Sequence, residues 1–336
     1  MPRALPLSAL DLVPLSSGSS SAAALRGAED LARAVERLGF QRLWYAEHHN
    51  MPGIAPTTPE IMIAHIGQVT STLRLGAGGV MLPNHSPLKV AESYRLLEAL
   101  HPGRIDLGIG RAPGTDPLTA VALRRSRNAP LADDFLSQLA ELSGFGEGSL
   151  PASHPFAKIR AMPDDVPLPP IWLLGSSDYS ANVAAELGLG FAFAGHFSQD
   201  PPDRPMRLYR ERFQPGALPK PHAILALSVF CSADEAEATR LASSMLLAFA
   251  QLRAGRPGRM PSPEEALRYP YTREEEAGIA QFRRLQIVGT PDRVRPAIER
   301  VAELTQADEV MIATHAHDPA ARVRSYELIA GAFARS

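Results

Sequence analysis

The chain predicts a (β/α)8 barrel, and three observations carry the prediction. Short runs rich in Val, Ile, Leu and Phe alternate with segments of helical period, as in parallel strands joined by crossover helices. Eight such runs can be counted, at roughly 5–13, 42–48, 74–82, 105–111, 170–176, 190–196, 222–231 and 308–314. Polar groups collect where these runs finish, which in a barrel is the functional face. An open doubly wound sheet is the structural alternative.

After the first run comes a polar Ser16–Ser21 loop. Ala24, Leu25, Ala28, Leu31, Ala32, Val35 and Leu38 then recur at helical spacing, closed by Gly39 as a stop. The second run ends abruptly in Glu47, His48 and His49. The third contains Gly76, Gly78 and Gly79 before Pro83, Asn84 and His85. Glycines inside a strand mark a bulge or the close approach of a ligand, with a tight helix contact as the plainer explanation. The fourth run meets Arg111. From there to Pro169 the chain is Pro-rich and partly helical around Leu131–Leu142. The fifth run gives way to Gly175-Ser176-Ser177-Asp178-Tyr179-Ser180 and a helix from Ala181 to Leu187. Beyond the seventh run, Leu241, Met245, Leu246 and Phe249 mark another helix. The stretch Arg253–Leu285, with Pro257, Pro261, Pro263 and Pro270, is too long for an ordinary connection and reads as an active-site lid or a disordered insertion. The whole chain, 1–336, is read as one barrel domain with insertions at about 112–169 and 253–285.

Composition narrows the function. With 336 residues, 45% hydrophobic and 21% charged, the chain can bury a large core without staples. A net charge of -2 and only three lysines leave no polybasic patch, so neither nucleic acid nor an anionic membrane is expected as a partner. No apolar stretch approaches the roughly 20 residues that spanning requires, and no signal-peptide pattern opens the chain. The lone Cys231 sits in an apolar run and reads as a small buried hydrophobe, which fits a reducing, cytoplasmic setting. There is no Gly-Lys dipeptide and hence no P-loop. A Gly-x-Ser-x-Gly elbow, a His-Glu-x-x-His zinc motif and paired cysteines are also absent, and no metal site is expected. Gly108–Gly114 superficially matches a dinucleotide loop, but Pro113 replaces the third glycine and no helical pattern starts there.

Of the 10 histidines, His48, His49, His85, His196, His315 and His317 fall at strand ends, whereas His65, His101, His154 and His222 do not. Arg111 offers forked donors suited to phosphate or carboxylate, with an ion pair to Asp116 as the plain alternative. Ser176, Ser177 and Ser180 stand at a helix start, where backbone N–H groups and the helix dipole favour an anion; an ordinary N-cap is the other explanation. Glycine-lined strand three, Arg111 and the serines describe a pocket for a flat ring with a phosphate tail, and flavin mononucleotide (FMN) fits.

The motifs at Ala46–His49, Gly76–His85, Gly108–Asp116 and Leu173–Ser180 together resemble the bacterial luciferase-like flavin monooxygenase family, in its alkanal-monooxygenase-like branch. The resemblance runs on to Val288–Pro291 and Ala307–Met311. It implies a barrel that takes reduced FMN from a separate NAD(P)H-dependent flavin reductase and uses O2 to oxygenate a small organic substrate, an aldehyde-like compound being one candidate. It places the catalytic histidine at His48, with Glu47 beside the flavin. Phosphate contacts carry over to Arg111, Ser177 and Ser180, with Ser176 adjoining. The family's non-prolyl cis peptide would fall at Ala77–Gly78, with backbone packed on the ring. His48, with an unperturbed pKa of ~6.5, is suited to moving a proton, and His49 or His85 is expected to orient it. A homodimer is also implied. Light-emitting members carry a reactive cysteine directly before the arginine; Gly110 stands there, so the resemblance stops short of light emission. The alternatives are a deazaflavin-dependent oxidoreductase transferring hydride on the same barrel, and a flavin-binding protein without turnover.

Overall fold

Eight parallel strands close on themselves in the computed structural model, which describes residues 5–124, 134–198 and 200–334. In chain order the strands are β1 (Leu7–Asp11), β2 (Arg42–Tyr45), β3 (Arg74–Ala77), β4 (Val80–Met81), β5 (Ile105–Gly110), β6 (Ile171–Gly175), β7 (Gly190–Phe193), β8 (Ala223–Cys231), β9 (Gln286–Gly289) and β10 (Glu309–Ala313). The barrel runs β10-β1-β2-β3-β5-β6-β7-β8, and β8 pairs with β10 from Ile224↔Glu309 to Ser228↔Ala313 to complete the circle. The barrel expectation holds and the open sheet falls away.

The two extra strands are corrections to the sequence reading. The third predicted run splits: β3 ends at Ala77, Gly78 N–H still donates to Tyr45 O at 2.8 Å, and β4 resumes against β5 before a turn at Leu82–Asn84. The non-prolyl cis peptide is Gly78–Gly79, one bond later than expected, because Ala77 is still held in the ladder opposite Tyr45. β9 pairs with the far half of β8, Ser228–Cys231. At four residues, three of them half-exposed, it lacks a run long enough to read as a strand.

The helices form where the local chemistry asks for them. Ser20 caps Ser21–Arg37 by accepting from Ala23 N, and Gly39 at φ +78° ends it as expected. In the first long stretch, helices span Pro117–Arg124 and Phe135–Glu147; Leu131 lies outside the described residues. The former contradicts the absence of a helical pattern after Gly114: Asp116 accepts from Thr119 N at 3.0 Å and starts it. The second stretch is ordered. Helices Pro263–Arg268 and Arg273–Arg283 each open on a reciprocal capping box, Ser262 with Glu265 and Thr272 with Glu275. Backbone bonds from Met260 N to Leu15 O (2.9 Å) and from Ser17 N to Met260 O (2.8 Å) stitch this stretch to the loop after β1. Among the described residues no helix is long and apolar enough to cross a membrane.

Strand pleating sends alternate residues to two cores. Ala9, Leu43, Leu75, Leu107 and Leu173 face the helices, whereas Leu10, Trp44, Trp172, Ala192, Ile224, Ala226, Met311 and Ala313 fill the interior. Trp44 and Trp172 pack edge to face with centroids 5.6 Å apart. A Cβ on Gly76 would lie 2.6 Å from Trp44 Nε1, so this glycine makes room for an indole rather than for a bulge or a ligand. Cys231 is buried, as expected.

Below the indoles, the interior is charged. Arg42 donates to Glu309 through Nε (2.8 Å) and Nη2 (3.0 Å) and to Asp106 through Nη1 (2.8 Å), while its guanidinium lies 4.8 Å from the Trp172 ring. Trp44 Nε1 and Arg74 also donate to Asp106, and the Ser8 hydroxyl donates to Glu309. Burial works against ionisation of Glu309. His222 Nε2, 3.3 Å away though misaligned for a hydrogen bond, and then Arg42 and Ser8 override it and hold the carboxyl at about 2.

Arg42→Ala should remove the guanidinium that two buried carboxylates share and lower stability by about 3–5 kcal/mol, read from denaturant unfolding at neutral pH. Because Glu309 sits at about 2 against an ordinary 4.5, its contribution is present above pH 4.5 and drains away as pH falls toward 2. Glu309→Gln should flatten that acid limb of the stability profile.

Candidate active site

The end of β2 turns a buried carboxylate into the barrel mouth. Glu47, 1% exposed, accepts from Met81 N (2.9 Å), His49 Nε2 (2.9 Å), His85 Nε2 (2.9 and 3.0 Å to its two oxygens) and, at 3.4 Å, Asn84 Nδ2. Burial opposes ionisation, but the bond and charge of His85, then the Met81 N–H and His49, hold Glu47 below the usual carboxylate range. The pair is reciprocal: burial disfavours the charged ring of His85, yet Glu47 raises it above its ordinary value, with Glu60 adding to the effect.

His48 is held differently. Its Nδ1 faces Gly114 O at 3.2 Å and donates there, so Nε2 is left without a partner among the described residues. Burial lowers this imidazole, outweighing the upward pull of Gly114 O and Glu47. The expectation that His49 or His85 orients His48 is therefore corrected. Both spend their Nε2 on Glu47, the strongest acceptor within reach, and a backbone carbonyl sets the His48 ring.

Of the other strand-end histidines, His196 lies in the turn after β7 and His315 lies two residues past Ala313, the last residue of β10. Burial drives them down to about 4 and about 3, with His48 adding to both and His196 and Arg322 also acting on His315. His317 is not part of this group; its Nε2 lies 3.3 Å from both Ser17 Oγ and Ser17 O.

Arg111 stands across the mouth, its guanidinium 4.3 Å from the Tyr179 ring centre. It does not pair with Asp116, which is taken by Asn50, Thr115 and Thr119. Ser177 is the N-cap of Asp178–Glu186 but makes no side-chain cap bond. Among the described residues the hydroxyls of Ser176, Ser177 and Ser180 form no hydrogen bond, so the ordinary N-cap explanation fails. Gly78 faces the interior, where a Cβ would meet Leu10 and Trp44 at 2.9 and 3.1 Å, whereas the Ala77 side chain is buried toward the helices and only its backbone adjoins the mouth. At Gly110 a Cβ would come within 2.8 Å of Met81 Sδ, so Met81 occupies the space a cysteine would need.

Sequence reasoning passed over three participants. Asn84, inside a motif already singled out, bridges Glu47 and Pro113 O (2.9 Å). Tyr179 stacks on Arg111, and the Gly114 carbonyl, being backbone, has no side-chain signature. Among the described residues no group of His, Cys, Asp or Glu is arranged to hold a metal ion. A surface cavity of about 700 Å³ lies to one side, lined by Ser17, Glu265, Tyr269 and His317 among others.

The model of the luciferase-like monooxygenase family matches residues 7–308. The chain belongs to the luciferase-like monooxygenase family. This luciferase-like monooxygenase is 42% identical over 327 residues to an Escherichia coli K12 protein called luciferase-like monooxygenase, covering 97% of this chain and 96% of the relative. It is 34% identical over 328 residues to the N-acetyl-S-alkylcysteine monooxygenase of Bacillus subtilis, covering 97% of each. Its structure matches apo-MsnO8 with a TM-score of 0.88 and 36% identity, over 99% of this chain and 98% of the other. More distant chains share the fold alone. One is the oxygenating constituent of 3,6-diketocamphane monooxygenase from Pseudomonas putida in complex with FMN (TM-score 0.71, 18% identity, 99% and 98% covered). Another is an F420-dependent secondary alcohol dehydrogenase (0.69, 13%, 98% and 99%).

The Glu47–His85 pair makes a titration prediction. Followed by NMR, His85 should titrate above its ordinary 6.5 in the wild type and fall in Glu47→Gln. The stability it contributes should be full below pH 6.5 and fade as pH rises through the raised value, a dependence that Glu47→Gln removes.

Proposed function

We propose that this chain is the oxygenating member of a two-component system, a single barrel domain that uses reduced FMN and O2 to oxygenate a small organic substrate. The observation that carries the reading is the pairing of an anion site on one side of the mouth with an unbonded imidazole nitrogen, His48 Nε2, on the other.

The residues present suit FMN. Arg111, the unbonded hydroxyls of Ser176, Ser177 and Ser180, and the N–H groups opening Asp178–Glu186 match the donors a phosphate tail needs. Gly78, with the backbone of Ala77, would lie against the ring. Bound reduced flavin supplies the electrons that activate O2. The protein positions, dries and handles protons. His48, kept neutral by burial, accepts or returns a proton at Nε2 while Gly114 O holds its Nδ1–H. Glu47 and His49 are positioning groups: the carboxylate pins the segment carrying His48 to Met81, Asn84 and His85, and His49 is one of its clasps.

No dinucleotide fingerprint is present in the chain, so a separate NAD(P)H-dependent flavin reductase is the natural electron source. We assign the chain to the cytoplasm, which its lone buried Cys231 fits, and to a homodimer on the family resemblance. A deazaflavin-dependent hydride transfer is the second reading, because an F420-dependent enzyme has the same fold.

Aerobic O2 uptake with reduced FMN and a substrate, coupled to product, supports the oxygenase; turnover confined to reduced deazaflavin under argon supports the second reading; flavin binding with no product from either overturns both. His48→Ala should bind FMN normally yet lose product formation. Arg111→Ala should weaken FMN binding by about ten- to a hundredfold, the worth of a charged hydrogen bond, as measured by flavin fluorescence quenching.

A further inference from the structure

Among the buried polar atoms that this mechanism leaves unused, three lie around one side of the barrel mouth. His196 Nδ1, Ser228 Oγ and His315 Nε2 are buried and have no hydrogen-bond partner. Ser228 follows the inward-facing register of Ala226 on β8, His315 lies two residues past inward-facing Ala313 at the end of β10, and His196 stands in the turn after β7, close enough to His315 and His48 to interact with both through charge. Ser228 sits directly opposite Ala313 in the β8–β10 ladder, and the backbone at Gly195 rests against Ala226 O, where a Cβ would come within 2.8 Å. The three strands are consecutive around the barrel and continue the wall from β6, whose following loop carries the serines. Beneath them is an apolar floor of Leu10, Trp44, Met311 and Ala313.

Native interiors pair their buried polar groups, and unpaired ones concentrated at the mouth of a barrel belong to a ligand that completes them. That ligand is not an anion. The charge of the nearby Arg322 is already balanced by Asp11 at 2.7 Å, and burial holds the two imidazoles well below their ordinary value, so they are neutral at physiological pH.

We propose that His196, Ser228 and His315 form a substrate-recognition subsite that holds an uncharged polar group, a carbonyl, hydroxyl or amide, beside His48. The word substrate rests on the monooxygenase reading above; the subsite itself does not. It separates this chain's preference from carboxylate-bearing substrates, and it assigns specificity to β7, β8 and β10 while the flavin side is left to β3, β5 and β6.

The test uses flavin-free protein and matched probes: 2-octanone, 1-octanol, octanamide, octanoate and octane, with imidazole ¹⁵N shifts as the readout. At least one neutral polar probe should move the His196 and His315 signals, with octanoate and octane binding at least tenfold more weakly. His196→Leu and His315→Leu should weaken that probe at least tenfold, and Ser228→Ala by a smaller factor, with FMN binding unchanged. The subsite is overturned if no neutral probe moves either imidazole, if octanoate binds as well, or if the variants lose FMN and probe in parallel. Should wild-type protein bind the probe at these histidines but take up no FMN, the flavin reading fails and the subsite stands. The wild-type shifts decide the matter even where a variant does not fold.

Discussion

The barrel mouth is organised by one ionised carboxylate out of water. Glu47 is almost wholly buried, and its charge is tolerable only because a backbone N–H, two imidazoles and an amide converge on it. Those donors come from β4 and the turn behind it as well as from the residue two places on. The carboxylate thus ties the end of β2 to the end of β4 and fixes the direction in which His48 leaves the barrel wall. Without an acceptor of that strength, His49 and His85 would be free to compete for His48, and the Gly114 carbonyl would no longer be its sole partner.

From this anchor the mouth divides by electrostatic character. The side built from β5 and β6 presents a guanidinium, free hydroxyls and a positive helix end, all donors to an anion. The side built from β7, β8 and β10 presents neutral imidazoles over an apolar floor. The base of the same barrel solves a different problem. There Arg42 neutralises Asp106 and Glu309 within a buried network, in keeping with the division of barrels into a stable bottom and a functional top.

The barrel was legible because a parallel strand buried on both faces reads as an apolar run, and its eight members fell close to the expected positions. Elements below that threshold were not: β9 and β4 are short, and their pairing partners lie far away in sequence. The capping boxes at Ser262–Glu265 and Thr272–Glu275 did announce two helices in the second long stretch, but the density of prolines masked them. In the site, Glu47, His48, Arg111 and the serines were visible as residue types at strand ends. Their connections were not. Which acceptor an imidazole chooses depends on distances between loops, and His48 chose a backbone oxygen that leaves no trace in residue identity. Gly76 misled because a glycine that yields to an indole and a glycine that yields to a ligand have the same letter; only the location of Trp44 separates them.

The backbone stitching at Met260 has an evolutionary corollary. Since this residue bonds to both Leu15 and Ser17, the segment it begins is held in register with the strand scaffold at its entry, whatever its later residues are. Relatives can therefore exchange the sequence downstream of that suture while inheriting an unaltered attachment to the loop after β1. Diversification on this scaffold would then proceed by rewriting an insertion while its seam stays put.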